Sequence, residues 1–196
     1  MSTASLQRAP DELEIVQAFL NTWRIPHDTR VPVDTIGSLA AMQQAHQSWF
    51  GAAASNVEHR LVPERALQLR ADLRGILGTD DRLLLDAWLA RQPIVVRLSQ
   101  IAADSPALCY RPIGEQGCVL CGAILALVVD AIARGRWLRL KACPDCQWVF
   151  YDHTRNASKV WCCMTASGPA GRSCGSIAKV RSFRERQRAA PSGRHA

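Results

Sequence analysis

The stretch CPDCQWVFYDHTRNASKVWCC, residues 143–163, constrains this chain more than any other. Two cysteine pairs, Cys143/Cys146 and Cys162/Cys163, bracket an aromatic run and a polar turn, and Cys174 follows with Gly175 behind it. Two thiolates separated by two residues across a tight turn can face one ion, and Pro144-Asp145 is chemistry for such a turn. A structural Zn2+ takes four soft ligands in a closed tetrahedron, so a second pair must return after a loop. Cys162, Cys163 and Cys174 are the candidates, with His153 as an outsider. Adjacent residues seldom point the same way, so one of Cys162 and Cys163 ligates while the other packs. Gly175 has the freedom for a tight turn that carries amides toward a thiolate. The simplest site is therefore Cys143, Cys146, Cys162 and Cys174, holding one structural Zn2+ per chain.

Two rival readings of the cluster exist. A redox pair places its C-x2-C at the start of a helix after a strand, whereas here QWVFYD follows the pair and itself reads as a strand. Inert core cysteines are the other rival. Residues 141–190 offer Trp148, Val149, Phe150, Val160, Trp161, Met164, Ile177, Val180 and Phe183 as a core. That is too little for independent folding, so metal and fold are expected to come together.

Charge divides the chain. Residues 1–133 carry 11 Lys/Arg against 14 Asp/Glu, a net of −3, and residues 134–196 carry 13 against 3, a net of +10. Such asymmetry suits a protein of which only the C-terminal part meets a polyanion. No run of 18 apolar residues suggests a membrane span. The opening MSTASLQRAPDELE lacks the apolar segment of a secretory signal, which makes reduced thiols and a cytoplasmic location the expectation.

The first 133 residues read as mostly helical. Asp11 to Leu20 is apolar at helical spacing behind Pro10. NTWRIPHDTRVPVD, with prolines at 26 and 32, reads as a loop. DTIGSLAAMQQAHQSWF reads as a helix with Asp34 or Thr35 as its cap. Residues 63–77 start at Pro63-Glu64 and carry a stripe of Ala66, Leu69, Leu73, Ile76 and Leu77. DDRLLLDAWLA is a further helix, ended by Pro93.

IVVRLS (94–99) and ALCYRPI (107–113) suit a small antiparallel hairpin around Asp104, Ser105 and Pro106. CVLCGAILALVVDAIARG (118–135) is apolar nearly all round, as a buried central helix is, and stops at Gly135. Its Cys118 and Cys121 read as core thiols, with redox or metal chemistry as the alternatives. His27, His46 and His59 have no companion at ligand spacing and read as surface or core residues. No phosphate-cradling glycine loop, G-x-S-x-G or H-E-x-x-H occurs, so enzyme activity is not expected. The fold class expected is mainly α with a small antiparallel β hairpin. Residues 1–137 would form a mostly helical domain, 138–190 a zinc-binding module with a basic helix, and 191–196 a disordered tail.

The residues resemble the CGNR zinc-finger family, bacterial proteins regarded as stress-induced transcription regulators with a mostly helical N-terminal domain. Cys143 and Cys146 match that finger's first pair. Trp148, Phe150 and Asp152 match its W-x-F-x-D segment, and Thr154, Arg155 and Asn156 stand at its SRN position. Trp161, Cys162 and Met164 match RWC-x-M, which makes Cys163 the non-ligand neighbour. AFLNTW, residues 18–23, is similar to the signature that opens the family's N-terminal domain. The Cys-Gly-Asn-Arg motif is here Cys174, Gly175, Ser176, Ile177, so the Asn and Arg have no counterpart, and the gap from Cys162 is longer. The inserted residues read as an exposed loop, which costs little when its ends still meet.

The resemblance implies double-stranded DNA as partner and a regulatory or sensor role for residues 1–137, with a small-molecule effector; a homodimer is the alternative for that part, since DNA readers often work as symmetric pairs. Basic residues frame the site: Arg155, Lys159, Arg172, Lys179, Arg181, Arg184, Arg186 and Arg188. On a helix Arg181, Arg184 and Arg188 share one face, a phosphate-contacting set, while Val180 and Phe183 are left to pack inward. Arg155 can instead brace the finger by bonding backbone carbonyls. Trp23, Trp49 and Trp88 can fill a core or line a pocket. The alternative to DNA is a zinc-stabilised protein-interaction module, marked by an apolar patch around Trp148 and Trp161.

Overall fold

The computed structural model describes residues 8–51, 60–79, 81–99, 107–113, 117–164 and 173–189. In chain order the elements are α1 (Leu13–Asn21), β1 (Trp23–Arg24), β2 (Val33–Asp34), α2 (Leu39–Phe50), α3 (Pro63–Gly75) and α4 (Leu83–Arg91). They continue with β3 (Ile94–Ser99), β4 (Ala107–Pro112), α5 (Val119–Ala133), β5 (Leu140–Ala142), β6 (Val149–Tyr151) and α6 (Cys174–Ala189). The fold is mostly helical, and its strands form three separate antiparallel pairs among the described residues. No helix among these residues is long and apolar enough to cross a membrane.

The most apolar stretch becomes the central helix. Along α5, Leu120, Cys121, Ile124, Leu125, Val128 and Ala131 are buried. Leu13, Val16, Phe19 and Leu20 of α1 pack into the same core, as do Ala66, Leu69 and Leu73 of α3. The helix stops where Gly135 takes a left-handed φ of 66°, a conformation that costs glycine little. Cys118 and Cys121 lie at its start, both buried. A hydrogen bond between these thiols pulls Cys118 down to about 6 and pushes Cys121 up. His46 is buried on α2 against Phe50, and burial lowers its pKa; His59 lies outside the described residues.

The hairpin expected at 94–113 forms as β3–β4, running from Ile94 opposite Pro112 to Ser99 opposite Ala107. Its turn, residues 104–106, lies outside the described residues, as does the tail 191–196. Two local expectations need correction. The proline-rich segment contains a two-residue ladder, Trp23 opposite Asp34 and Arg24 opposite Val33. Pro26 and Pro32 fall between the paired positions and so do not block it. The cap of α2 is Ser38, whose Oγ accepts from Ala41 N at 3.3 Å, not Asp34 or Thr35. Asp34 lies in β2 and accepts from the buried Arg70 guanidinium, which holds its carboxyl below the usual range.

The three N-terminal tryptophans have separate packing partners. Trp88 donates to Asp72 at 2.8 Å, Trp49 meets Phe19 edge to face, and Trp23 lies under the Arg74 guanidinium.

Strand β6 joins the main core to the cysteine cluster. Side chains alternate across a strand, so Val149 and Tyr151 enter the main core while Phe150 packs among Cys143, Cys146, Cys162 and Cys174. Trp137 and Leu140 also belong to the main core, which therefore runs across the boundary expected at 137. Asn21 of α1 treats Val149 as a strand partner would. Its Oδ1 accepts from Val149 N and its Nδ2 donates to Val149 O, both at 2.8 Å. Gln17 donates to the same carbonyl at 3.0 Å. Asn21→Ala orphans mainly the buried N–H, so we expect a loss of about 1–3 kcal/mol in chemical denaturation.

Candidate metal centre

Cys143 and Cys146 lie in the turn between β5 and β6. Cys143 N donates to Trp148 O and Gln147 N donates to Cys143 O, each at 2.9 Å. Gln147 takes a positive φ of 59° to close this loop. The pair is thus held by a hairpin turn and not at the start of a helix, which removes the geometry a redox pair of that kind uses.

The N-terminal part grips the same turn from outside. Arg30 Nη2 donates to Asp145 O at 2.8 Å, Ile25 N to Cys146 O at 3.2 Å, and Arg74 Nη2 to Gln147 O at 2.6 Å. Three consecutive carbonyls therefore face donors from residues before 75.

Opposite this turn come Cys162 and Cys174, the latter the first residue of α6. The sulfurs of Cys146 and Cys162 lie 3.6 Å apart, and those of Cys162 and Cys174 3.7 Å. Cys143 is in hydrogen-bond contact with Cys146 and Cys162. A tetrahedron of zinc–sulfur bonds of about 2.3 Å has edges of about 3.8 Å. The observed spacings are those edges, and all four thiols are buried. Packed so closely, they cannot all ionise unaided. Hydrogen bonds from Cys146 and Cys162 hold Cys143 far below the usual thiol range. Its neighbours push Cys146 and Cys162 up, and burial pushes Cys174 up. A divalent cation relieves this crowding, because coordinated thiols give up their protons.

His27 joins the cluster, which the sequence reading missed. Its donor atom and those of Cys146, Cys162 and Cys174 all lie within 4.8 Å of one another. This cluster suits one structural Zn2+. Cys143, Cys163 and His153 are not among these four: Cys143 contacts Cys146 and Cys162, Cys163 is half-buried beside Cys162, and His153 donates from Nε2 to Arg8 O at 2.7 Å.

Gly175 has a different role from the one expected. It is helical, and its N–H donates to Cys163 O at 2.9 Å. A Cβ there would run into the Met164 thioether, which would have to shift, and would lie 3.2 Å from Cys163 O.

Between the two halves of the cluster, a polar loop is organised by buried charges. Asp152 is wholly buried and accepts from Lys141 Nζ at 2.8 Å, Thr154 Oγ1 at 2.6 Å and Lys159 N at 2.7 Å. Burial alone would raise its pKa, but these bonds outweigh it and hold the carboxyl well below the usual range. Arg139 Nη1 bonds the carbonyls of Asp152 and Thr154 at 2.9 and 2.8 Å. The bracing expected of Arg155 is thus supplied by Arg139, and the Arg155 carbonyl is one of its acceptors.

Residues 139–187 match the CGNR zinc finger. This segment is a CGNR zinc finger. The match covers 49 of the chain's 196 residues, and no curated protein matches the chain. Within the finger, Trp148 and Trp161 are half-buried against the thiols, and Val160 and Met164 beside Trp161 are exposed.

The basic residues singled out above differ in setting. Arg155 is exposed on the loop. Lys159 holds its ammonium 5.1 Å from the centre of the Phe150 ring. Arg172 lies outside the described residues. Lys179, Arg181, Arg184 and Arg188 are exposed on α6. Val180 and Phe183 are also exposed, at 48% and 54%, and not packed inward. A helical wheel gives the faces of a helix but not what lies opposite them, and past Ala178 α6 has no buried residue up to Arg188.

Proposed function

We propose that this protein is a zinc-dependent transcription regulator that binds double-stranded DNA through the basic helix α6. Zn2+ held by Cys143, Cys146, Cys162 and Cys174 anchors the start of that helix. The observation that carries the reading is the exposed face of Arg181, Arg184 and Arg188, which make no ion pair among the described residues. Glu185 lines the same groove as these arginines, but arginines with no carboxylate at ion-pair distance can exchange counterions with phosphates. Arg155, Lys159, Arg172 and Lys179 add charge around this face. Residues 1–137 serve as the ligand-sensing or dimerisation part, in a cytoplasmic protein of bacterial stress response. The finger and the N-terminal part divide the work although the main core takes in Trp137, Leu140, Val149 and Tyr151.

The test is the triple variant Arg181→Ala, Arg184→Ala, Arg188→Ala titrated with duplex DNA over a range of salt. Loss of three phosphate contacts makes the slope of log affinity against log salt shallower by about three. An unchanged affinity and slope would sink the assignment. Exposed Val180 and Phe183 favour a second reading, a protein partner lying on the same helix. That reading predicts that Phe183→Ala disrupts an assembly while DNA affinity is untouched.

A further inference from the structure

His27, Cys146, Cys162 and Cys174 hold their donor atoms within 4.8 Å of one another, and Cys143 contacts two of them, Cys146 and Cys162, so five candidate donors gather where a tetrahedron takes four. Besides the four thiols, His27 brings its Nε2 to 3.4 Å from Cys174 Sγ, across 147 residues of sequence. The nitrogen–sulfur edge of a zinc tetrahedron, built from bonds of about 2.0–2.1 and 2.3 Å, is about 3.5 Å. His27 therefore stands from Cys174 as one ligand stands from the next. Its segment is pinned rather than dangling, because Ile25 and Arg30 on either side bond the carbonyls of Cys146 and Asp145.

Resting on the zinc reading above, we propose that His27 is the reserve ligand of the centre. While four thiolates hold the ion, Nε2–H donates to the Cys174 sulfur. When Cys174 is withdrawn, the same nitrogen takes its position. In that exchange the zinc–sulfur bond breaks and a zinc–nitrogen bond forms. The sulfur leaves as a thiol, the imidazole binds with its proton on Nδ1, and one proton is taken up. The consequence concerns α6. Cys174 is its first residue and is buried, whereas the helix from Lys179 to Arg188 is exposed. Exchange at this one position frees the basic helix from the metal while the ion stays in the finger. The N-terminal part thereby holds a direct link to the helix.

The experiment compares the full-length parent with His27→Ala, Cys174→Ala and the double variant. Zinc affinity is read by competition with a chromophoric chelator, and ligand type by the absorption bands of Co2+. Loss of a partner that orients a ligand weakens metal binding roughly 10- to 100-fold. His27→Ala, with all four thiols intact, is expected at the lower end of that range. Cys174→Ala is expected to retain zinc more weakly, with cobalt bands moved as nitrogen replaces sulfur. The double variant is expected to bind at least about tenfold more weakly than Cys174→Ala and to lose those bands. Equal affinity of Cys174→Ala and the double variant would overturn the proposal. So would His27→Ala binding zinc as the parent does, a result that does not depend on how Cys174→Ala folds. A parent that binds no zinc would overturn the zinc reading and this proposal with it; the other results strike this proposal alone.

Discussion

Stripping zinc from the full chain with a chelator at neutral pH is expected to unravel the finger while leaving the α5 core folded. The apolar content behind the thiols is small: Phe150 is buried there, with Trp148 and Trp161 only partly so. Structural zinc contributes roughly 10–16 kcal/mol in such modules, as much as the whole stability of an ordinary domain. Without the ion, four buried thiols face one another with opposed protonation demands, and the packing around them is Phe150 with the half-buried Trp148 and Trp161. Helix α6 should then lose its anchor, because no residue from Lys179 to Arg188 is buried. Limited proteolysis and near-ultraviolet circular dichroism check this. New cleavage between 143 and 189, with α5 still protected, is the expected result. Val149 and Tyr151 lie in the main core, so the overall melting temperature should fall as well. A finger equally protected with and without zinc would mean that the metal is not structural.

Asp152→Ala is expected to cost about 3–5 kcal/mol, the range for breaking a buried ion pair from one side. The carboxylate is wholly buried and gathers Lys141, Thr154 and the Lys159 amide. Its removal strands the Lys141 ammonium and releases the loop that leads back to Cys162. Replacing Lys141 by Met in the same chain should recover part of the loss, since an unpaired charge is worse than none. The pH dependence has a definite sign. The folded pKa lies below the ordinary carboxylate value of about 3.9. The stabilisation is therefore present in full above about pH 4 and is lost as pH falls toward the folded value. Parent and variant, both zinc-loaded, should differ by a constant amount from pH 7 to about pH 4, and the gap should narrow below that. A gap that grew on acidification would contradict the assignment.

What was legible in the sequence was local. The C-x2-C turn, the return to Cys162 and Cys174 and the CGNR likeness depend on residue types at short spacing, and the same chemistry reappears in space. The helices 63–75 and 119–133 follow from apolar stripes that reach their own core. His27 was not legible, because nothing in a proline-flanked segment signals that it folds onto a sulfur 147 residues away. Arg74 and Arg30 were missed for the same reason: an arginine that bonds a distant carbonyl reads as a surface charge. The seam on α6 failed differently. Val180 and Phe183 have the spacing of packed residues, yet both stay exposed along the helix. Ser38, not Asp34, caps α2, since Asp34 is drawn into β2 by Arg70, again a long-range partner.

The central claim is that one zinc ion, held by this cluster, builds the finger. Elemental analysis of untagged full-length protein, beside the Cys162→Ala variant, tests it most directly. Cys162 is the sulfur that touches both sides of the site, 3.6 Å from Cys146 and 3.7 Å from Cys174. The account predicts one zinc per chain in the parent and none retained through dialysis in the variant. Parent protein free of zinc after metal-replete purification, or a variant that keeps a full equivalent, would contradict it.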